Sequence, residues 1–395
     1  MPVMKFFSFC QKDMIKKGFS LMNDKFKNIE FIRVVGCLSI ILFHLFCKEL
    51  HFFFPDVLLY SKLRAMTNCG SKAVDLFFIL SGLFFAYKLN TQYSLIDFLK
   101  KKIIRFYPVL IFVVIAIFVS SIFKILDFNL YEIILVLTGL SGTGLSLTIG
   151  PKTICQFWYV YSMMWVLVLY YYLLKNFAKK NVNLFIACSI FFSYTIIIQF
   201  KNGMIGGTYE TFHSIVNFGL LRALGGIGIG YFIGEWLKEN YSHIINCKTS
   251  DIYQKLVMTA CEFCCLFFMI NNLFFRNYKF NKIVFILDFA ALLVLFLLKR
   301  GYISQFFETS KLSDIFEQAA KYTYSFYMTH YFVIVFLENT IIKNYYDFFN
   351  SHLCITIAMN LTAIFIAGYF TYNVVEKPCA NYLKKFAKKI NEKYL

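Results

Sequence analysis

Arg33 and His44 stand eleven residues apart in FIRVVGCLSIILFHLF (31–46), a stretch otherwise apolar enough for a bilayer. On a helix, eleven steps of about 100° bring the second side chain to within about 20° of the first, about 16 Å further along the axis. A guanidinium holds phosphate or carboxylate bidentately. A neutral imidazole takes a proton from a hydroxyl near neutrality. The pair therefore suits an anion clamp on the same helix face as a general base. Two plainer readings stand beside it: Arg33 can snorkel to the surface, and His44 can be a packed histidine bonded to a neighbouring helix.

Other polar groups share this apolar background, and such groups are costly inside a membrane and often mark a site. Asp75, in GSKAVDLFFILSGLFFAY, can pair with Lys72, orient a histidine or meet an intramembrane arginine. Lys102 and Arg105 share a face in KKIIRFYP (101–108), as positive-inside anchors or as a phosphate site. Arg222, in LLRALGGIGIGYFIG, lies too deep for anchoring, and Asp288 is a natural partner for such a cation. The glycines there read as helix packing, since no strand precedes them, and Ser81 and Gly82 likewise permit close packing. His330 is a second intramembrane histidine, among Tyr324 and Tyr327. Glu262 and Glu338 stay open. His51, His213, His243 and His352 fall in or beside loops. Cys261, Cys264 and Cys265 form one cluster that reads as inert thiols, and no metal site or disulfide framework is expected. No GxSxG, HExxH, Walker-type loop or paired CxxC occurs.

Elements that could position these groups follow from composition. The 395 residues are 59% hydrophobic and 16% charged, against about 25% charged in a soluble domain. The class is an all-α polytopic membrane helix bundle. Ten segments have spanning length: 29–50, 70–89, 103–124, 154–174, 182–200, 215–237, 256–275, 280–298, 324–341 and 353–375. The first follows a basic tail and lacks a small-residue cleavage site, so it reads as a retained helix. The Gly-, Ser- and Thr-rich stretch 130–150 is expected on the outer side or as a re-entrant element. With that assignment 27 of the 40 Lys and Arg fall on one side and 11 on the other, which orients both termini to the cytoplasm. The net charge of +18 thus belongs to loops beside a lipid bilayer, and nucleic acid is not expected. Residues 1–28 and 377–395 form basic tails around one membrane domain, 29–376.

In this order the pieces resemble the acyltransferase 3 family of integral membrane acyltransferases. IEFIRVVGCLSIILFHLF resembles its first-helix signature, an Arg followed by ten residues and a His. AVDLFFILSGLFFAYKL places Asp75 on the acidic position, and KKIIRFYPVL places Lys102, Arg105 and Pro108 on a basic element. QFWYVYSMMWVLVLYYYLL resembles the Trp-bearing helix at Trp158, in the branch found among surface-polysaccharide acetyl- and succinyltransferases. YSFYMTHYFVI places His330, and VVEKP (374–378) places Glu376.

The resemblance implies acyl transfer from acetyl-CoA or another acyl-CoA to a hydroxyl of an envelope polysaccharide or glycolipid, in a bacterial inner membrane. No resident cofactor is implied, and no appended esterase-like domain is expected. Lys102 and Arg105 would meet the nucleotide phosphates, and Arg33 would guide the donor inward. His44 would act as base or be transiently acylated, and Asp75 would orient or charge-balance the site. Arg222, His330, Trp158 and Glu376 form a secondary set. The rival classes are a glycolipid or polysaccharide transporter and a non-catalytic scaffold.

Overall fold

The computed structural model describes residues 26–50, 53–126, 130–140, 156–200, 211–212, 216–246, 251–275 and 282–394. The first 25 residues of the basic tail, residues 141–150 of the expected outer element, and His51 and His213 lie outside them, as does the side chain of His243. Helices α1 (Lys27–Phe43), α2 (Leu58–Thr67), α3 (Ala73–Tyr87), α4 (Leu95–Ile122) and the short α5 (Leu130–Thr138) come first. They are followed by α6 (Trp158–Asn176), α7 (Lys179–Phe200), α8 (Phe218–Asn246), α9 (Ile252–Phe274) and α10 (Lys282–Leu298). Then come α11 (Tyr302–Thr309), α12 (Lys311–Ala320), α13 (Thr323–Leu337), α14 (Tyr346–Ser351), α15 (Leu353–Thr371) and α16 (Lys377–Tyr394). The described strands are a two-residue antiparallel pair, Thr211–Phe212 with Val216–Asn217. The all-α expectation holds.

Each of the ten segments expected to span carries helix. Among the described residues, six helical stretches are long and apolar enough to cross a membrane. The others include α6 and α13, which have most of their side chains inside the bundle. Such helices face protein, so Tyr, Ser and His replace part of the lipid-facing apolar surface. The difference is visible in burial. The α2–α3 stretch is 67% buried, whereas α9 and α15 are 22% buried. Helix α5, nine residues long, is about 13 Å and too short to span.

Two expected boundaries shift. Helix α4 starts at Leu95, where the Ser94 hydroxyl accepts from the Asp97 N–H at 3.0 Å, so the basic run lies inside the helix rather than at its start. The helix of the last expected span, 353–375, runs on through the C-terminal basic segment as α16, which packs along α4. Its Leu383, Phe386 and Ile390 turn inward, and Lys384, Lys385, Lys388 and Lys389 outward.

The packing centre is the contact of α8 with α3 and α7. Gly226, Gly230 and Gly234 recur every four residues on one α8 face. A Cβ on Gly230 would lie 1.9 Å from the Ile79 carbonyl oxygen, and one on Gly82 would lie 2.1 Å from that of Ile227. Backbone therefore meets backbone, the close approach that small residues permit in membranes. Gly225 and Gly228 make room for Tyr194 and Ile190 of α7 on another side.

Between these helices, Arg222 of α8 donates from Nε and Nη2 to the two oxygens of Asp75 on α3, each at 3.0 Å. The side chains are 3% and 0% exposed. Asp288 is therefore not the partner of Arg222; it lies near Cys265 of α9. The Arg222 guanidinium also lies 4.9 Å from the Trp158 ring.

Replacing Gly230 by Ala is expected to destabilise the detergent-solubilised protein by about 1–3 kcal/mol or more, because backbone must move. Gly36→Ala, whose new Cβ would first meet the flexible end of Leu76 at 3.1 Å, is expected to be near neutral in the same thermal melts. Asp75→Asn or Arg222→Gln alone should each cost about 3–5 kcal/mol by stranding a buried charge. The double variant should cost less than the sum, read as a coupling energy in a double-mutant cycle.

Candidate functional site

Helix α1 presents a polar stripe to α13. Arg33 Nη2 reaches the Thr323 hydroxyl at 3.4 Å, the Cys37 thiol reaches the Thr323 carbonyl at 3.5 Å, and His44 Nδ1 lies 2.8 Å from His330 Nε2. Arg33 and His44 thus face the same neighbouring helix, two turns apart on its side. Sequence spacing alone identified this stripe, but not its partner.

The backbone fixes the protons of the histidine pair. His330 is fully buried, and its Nδ1 lies 2.7 Å from the Tyr327 carbonyl and 3.1 Å from that of Phe326. A carbonyl oxygen only accepts, so Nδ1 carries the hydrogen. In the neutral ring Nε2 is then the acceptor. His44 must donate to it from Nδ1, which makes Nε2 of His44 the basic nitrogen. This is the logic by which a base is held in one tautomer by the group behind it, with a second imidazole and a carbonyl in place of a carboxylate. The Tyr331 ring packs 5.0 Å from His44.

At the other end of the stripe lie the cations. Arg33 Nη1 pairs with Glu30 at 2.5 Å, one turn back on α1. Arg105 of α4 lies 3.3 Å from Glu376, whose other oxygen accepts from the Ser325 hydroxyl at 2.6 Å. Glu376 ends a stretch, Tyr372–Glu376, in which the helix widens to π-type turns between α15 and α16. It is 3% exposed, within electrostatic reach of Arg33 as well as Arg105. Tyr324 follows Thr323 and bonds the Phe106 carbonyl at 2.7 Å, tying α13 to α4 beside Arg105. From Ser325 to His330 is five residues, about 7 Å of helical rise. Tyr159 and Tyr327, their rings 5.5 Å apart, lie between the two ends.

Other expected site residues are placed differently. Lys102 sits with its ammonium 5.2 Å from the Phe98 ring, not beside Glu376. Both oxygens of Asp75 are engaged by Arg222, so its contacts belong to the α3–α8 junction. Trp158 packs on that same arginine. Glu262 is a helix cap: it accepts from the N–H groups of Gly301 and Ser304 at 3.2 and 3.1 Å, at the start of α11. Glu30 and Glu49 were not singled out from sequence. Glu30 had a usable signal, its i, i+3 spacing to Arg33.

Residues 26–372 match the family model described as an acyltransferase domain. No curated protein and no solved structure matches the chain. Nearly the whole described bundle, including both ends of the α1–α13 stripe, lies within the matched span. The chain belongs to this acyltransferase family and is a multi-pass membrane acyltransferase.

Proposed function

We propose that the protein is an O-acyltransferase that moves an acetyl group from acetyl-CoA to a hydroxyl of an envelope polysaccharide or glycolipid, in a bacterial inner membrane. The bundle would cross that membrane ten times with both termini cytoplasmic. The observation that carries this reading is the 2.8 Å His44–His330 contact backed by the Tyr327 carbonyl, which assigns the basic nitrogen to His44 Nε2.

In the proposed reaction the acceptor hydroxyl attacks the thioester carbonyl as its proton passes to His44 Nε2. The tetrahedral intermediate collapses with cleavage of the C–S bond. The imidazolium returns the proton to the departing thiolate, so the products are an ester and CoA. Transient acylation of the same nitrogen would give the same balance. His330 keeps the Nδ1–H of His44 engaged throughout and can share the positive charge that develops.

Arg33 and Arg105 would receive the donor's phosphates, with Lys102 at the approach. Each guanidinium has five N–H donors, so one carboxylate does not exhaust it. Glu30 and Glu376 hold the two cations in place before the anion arrives. Asp75 and Arg222 would act through the fold, by fixing α3 to α8.

The test uses membranes containing the protein, radiolabelled acetyl-CoA and crude envelope glycan. Wild type should transfer label to glycan. His44→Ala should lose about 10²- to 10⁴-fold, the usual worth of a positioned base, while still melting cooperatively as folded protein. His330→Phe should lose about tenfold or more, because the tautomer of His44 is no longer dictated. Undiminished transfer by His44→Ala would remove it from the mechanism. Glycan binding without any acyl transfer would favour a transporter.

A further inference from the structure

Glu49 follows His44 by five residues. In a regular α-helix five steps turn about 500°, which would point Glu49 some 140° away from the histidine. From His44 to Leu50, however, the helix winds in π-type turns, whose i→i+5 bonding brings the fifth residue back toward the first. Such widened turns are frequent at functional sites. Here the widening has a definite result. Glu49 Oε1 accepts from the Tyr331 hydroxyl at 2.5 Å, and the same tyrosine ring packs 5.0 Å from His44. Tyr331 directly follows His330, the partner of His44, and is 4% exposed. Two helices thus bring His44, His330, Tyr331 and Glu49 together.

The chemistry of this carboxylate differs from that of the carboxylates that hold cations or cap a helix. Glu30 and Glu376 hold arginines, Asp75 is clamped by Arg222, and Glu262 caps a helix. Among the described residues no lysine or arginine is ion-paired with Glu49. A carboxylate offers about four acceptor positions on two oxygens, and the Tyr331 hydroxyl fills one. A half-buried carboxylate in an apolar setting is costly and calls for further hydrogen-bond donors. An anionic ligand group would be repelled there, whereas hydroxyl groups are suitable.

We propose that Glu49, oriented by Tyr331, binds the acceptor by accepting a hydrogen bond from a hydroxyl adjacent to the one His44 deprotonates. The acceptor class is then a polyhydroxyl compound, a sugar with neighbouring hydroxyls, rather than a lone alcohol. The assignment rests on the reading of His44 as the base. Tyr331 acts as a positioning residue: its hydroxyl holds one carboxylate oxygen and aims the other. A site built around such a bond discriminates strongly against ligands that lack the hydroxyl.

The experiment measures initial rates of acetyl transfer in proteoliposomes, with acetyl-CoA and envelope glycan varied separately, for wild type, Glu49→Gln and Tyr331→Phe. Glu49→Gln should raise the glycan KM about 10- to 100-fold, as loss of a charged hydrogen bond implies, while the acetyl-CoA KM and the melting temperature stay at wild-type values. Tyr331→Phe should shift the glycan KM in the same direction by less. Unchanged glycan KM in both variants, with or without a lower melting temperature, would make the pair structural and overturn the proposal. A rise in the acetyl-CoA KM instead would also overturn it. Absence of transfer by wild type would sink the acyltransfer reading itself, and with it this assignment. An active wild type with unaffected variants would sink the assignment alone.

Discussion

A buried imidazole whose Nδ1 faces a carbonyl oxygen has to carry its proton there. That constraint on His330 passes through Nε2 to His44 and decides which nitrogen of the proposed base is basic. Nothing in the relay depends on a charged group. It depends on the Tyr327 and Phe326 carbonyls standing where they do, one turn back on the helix that carries His330. The geometry is then only as good as the contact between α1 and α13, and much of the bundle serves that contact. Arg33 and Cys37 touch Thr323 two turns from the histidines, so the two helices are held along a length rather than at a point.

The intramembrane charges divide by what they hold. Without water, each must find a partner within the protein. Asp75 and Arg222 find each other and close a junction already crowded by glycines. Glu262 takes the two N–H groups at the start of α11. Arg33 and Arg105 differ in being partly exposed, with side chains 27% and 38% accessible. In the proposed reaction that exposure is what would let them meet the donor's phosphates, while a carboxylate holds each in place. Partial exposure of these cations contrasts with the full burial of the Asp75–Arg222 pair.

The features that were legible in sequence are those written within one element. The Arg33–His44 stripe follows from helical phase. The all-α class follows from apolar length, and close packing from the glycines of α8, before which the sequence predicts no strand. Features that need two distant elements were not legible. Asp75 and Arg222 are 147 residues apart, and nothing local marks them as partners, so Asp288 looked equally suitable for the arginine. His330 was visible as a buried histidine, but its place behind His44 was not. Glu49 was hidden for a different reason: assuming regular α-helical phase puts it off the stripe, and the widening after Phe43 that restores it has no sequence signature. The helix in the C-terminal basic segment was not read because its lysines mask a period that the inward Leu383, Phe386 and Ile390 carry.

The central claim is the protonation pattern of the histidine pair. Nitrogen-15 spectra of histidine-labelled protein in nanodiscs would measure it directly, with His44→Ala and His330→Phe assigning two of the six histidines. The account requires both rings to be neutral with hydrogen on Nδ1, and His44 to lose its fixed tautomer in His330→Phe. Hydrogen on Nε2 of His44 in the wild-type protein would contradict it, because the nitrogen assigned to take the acceptor's proton would already be occupied.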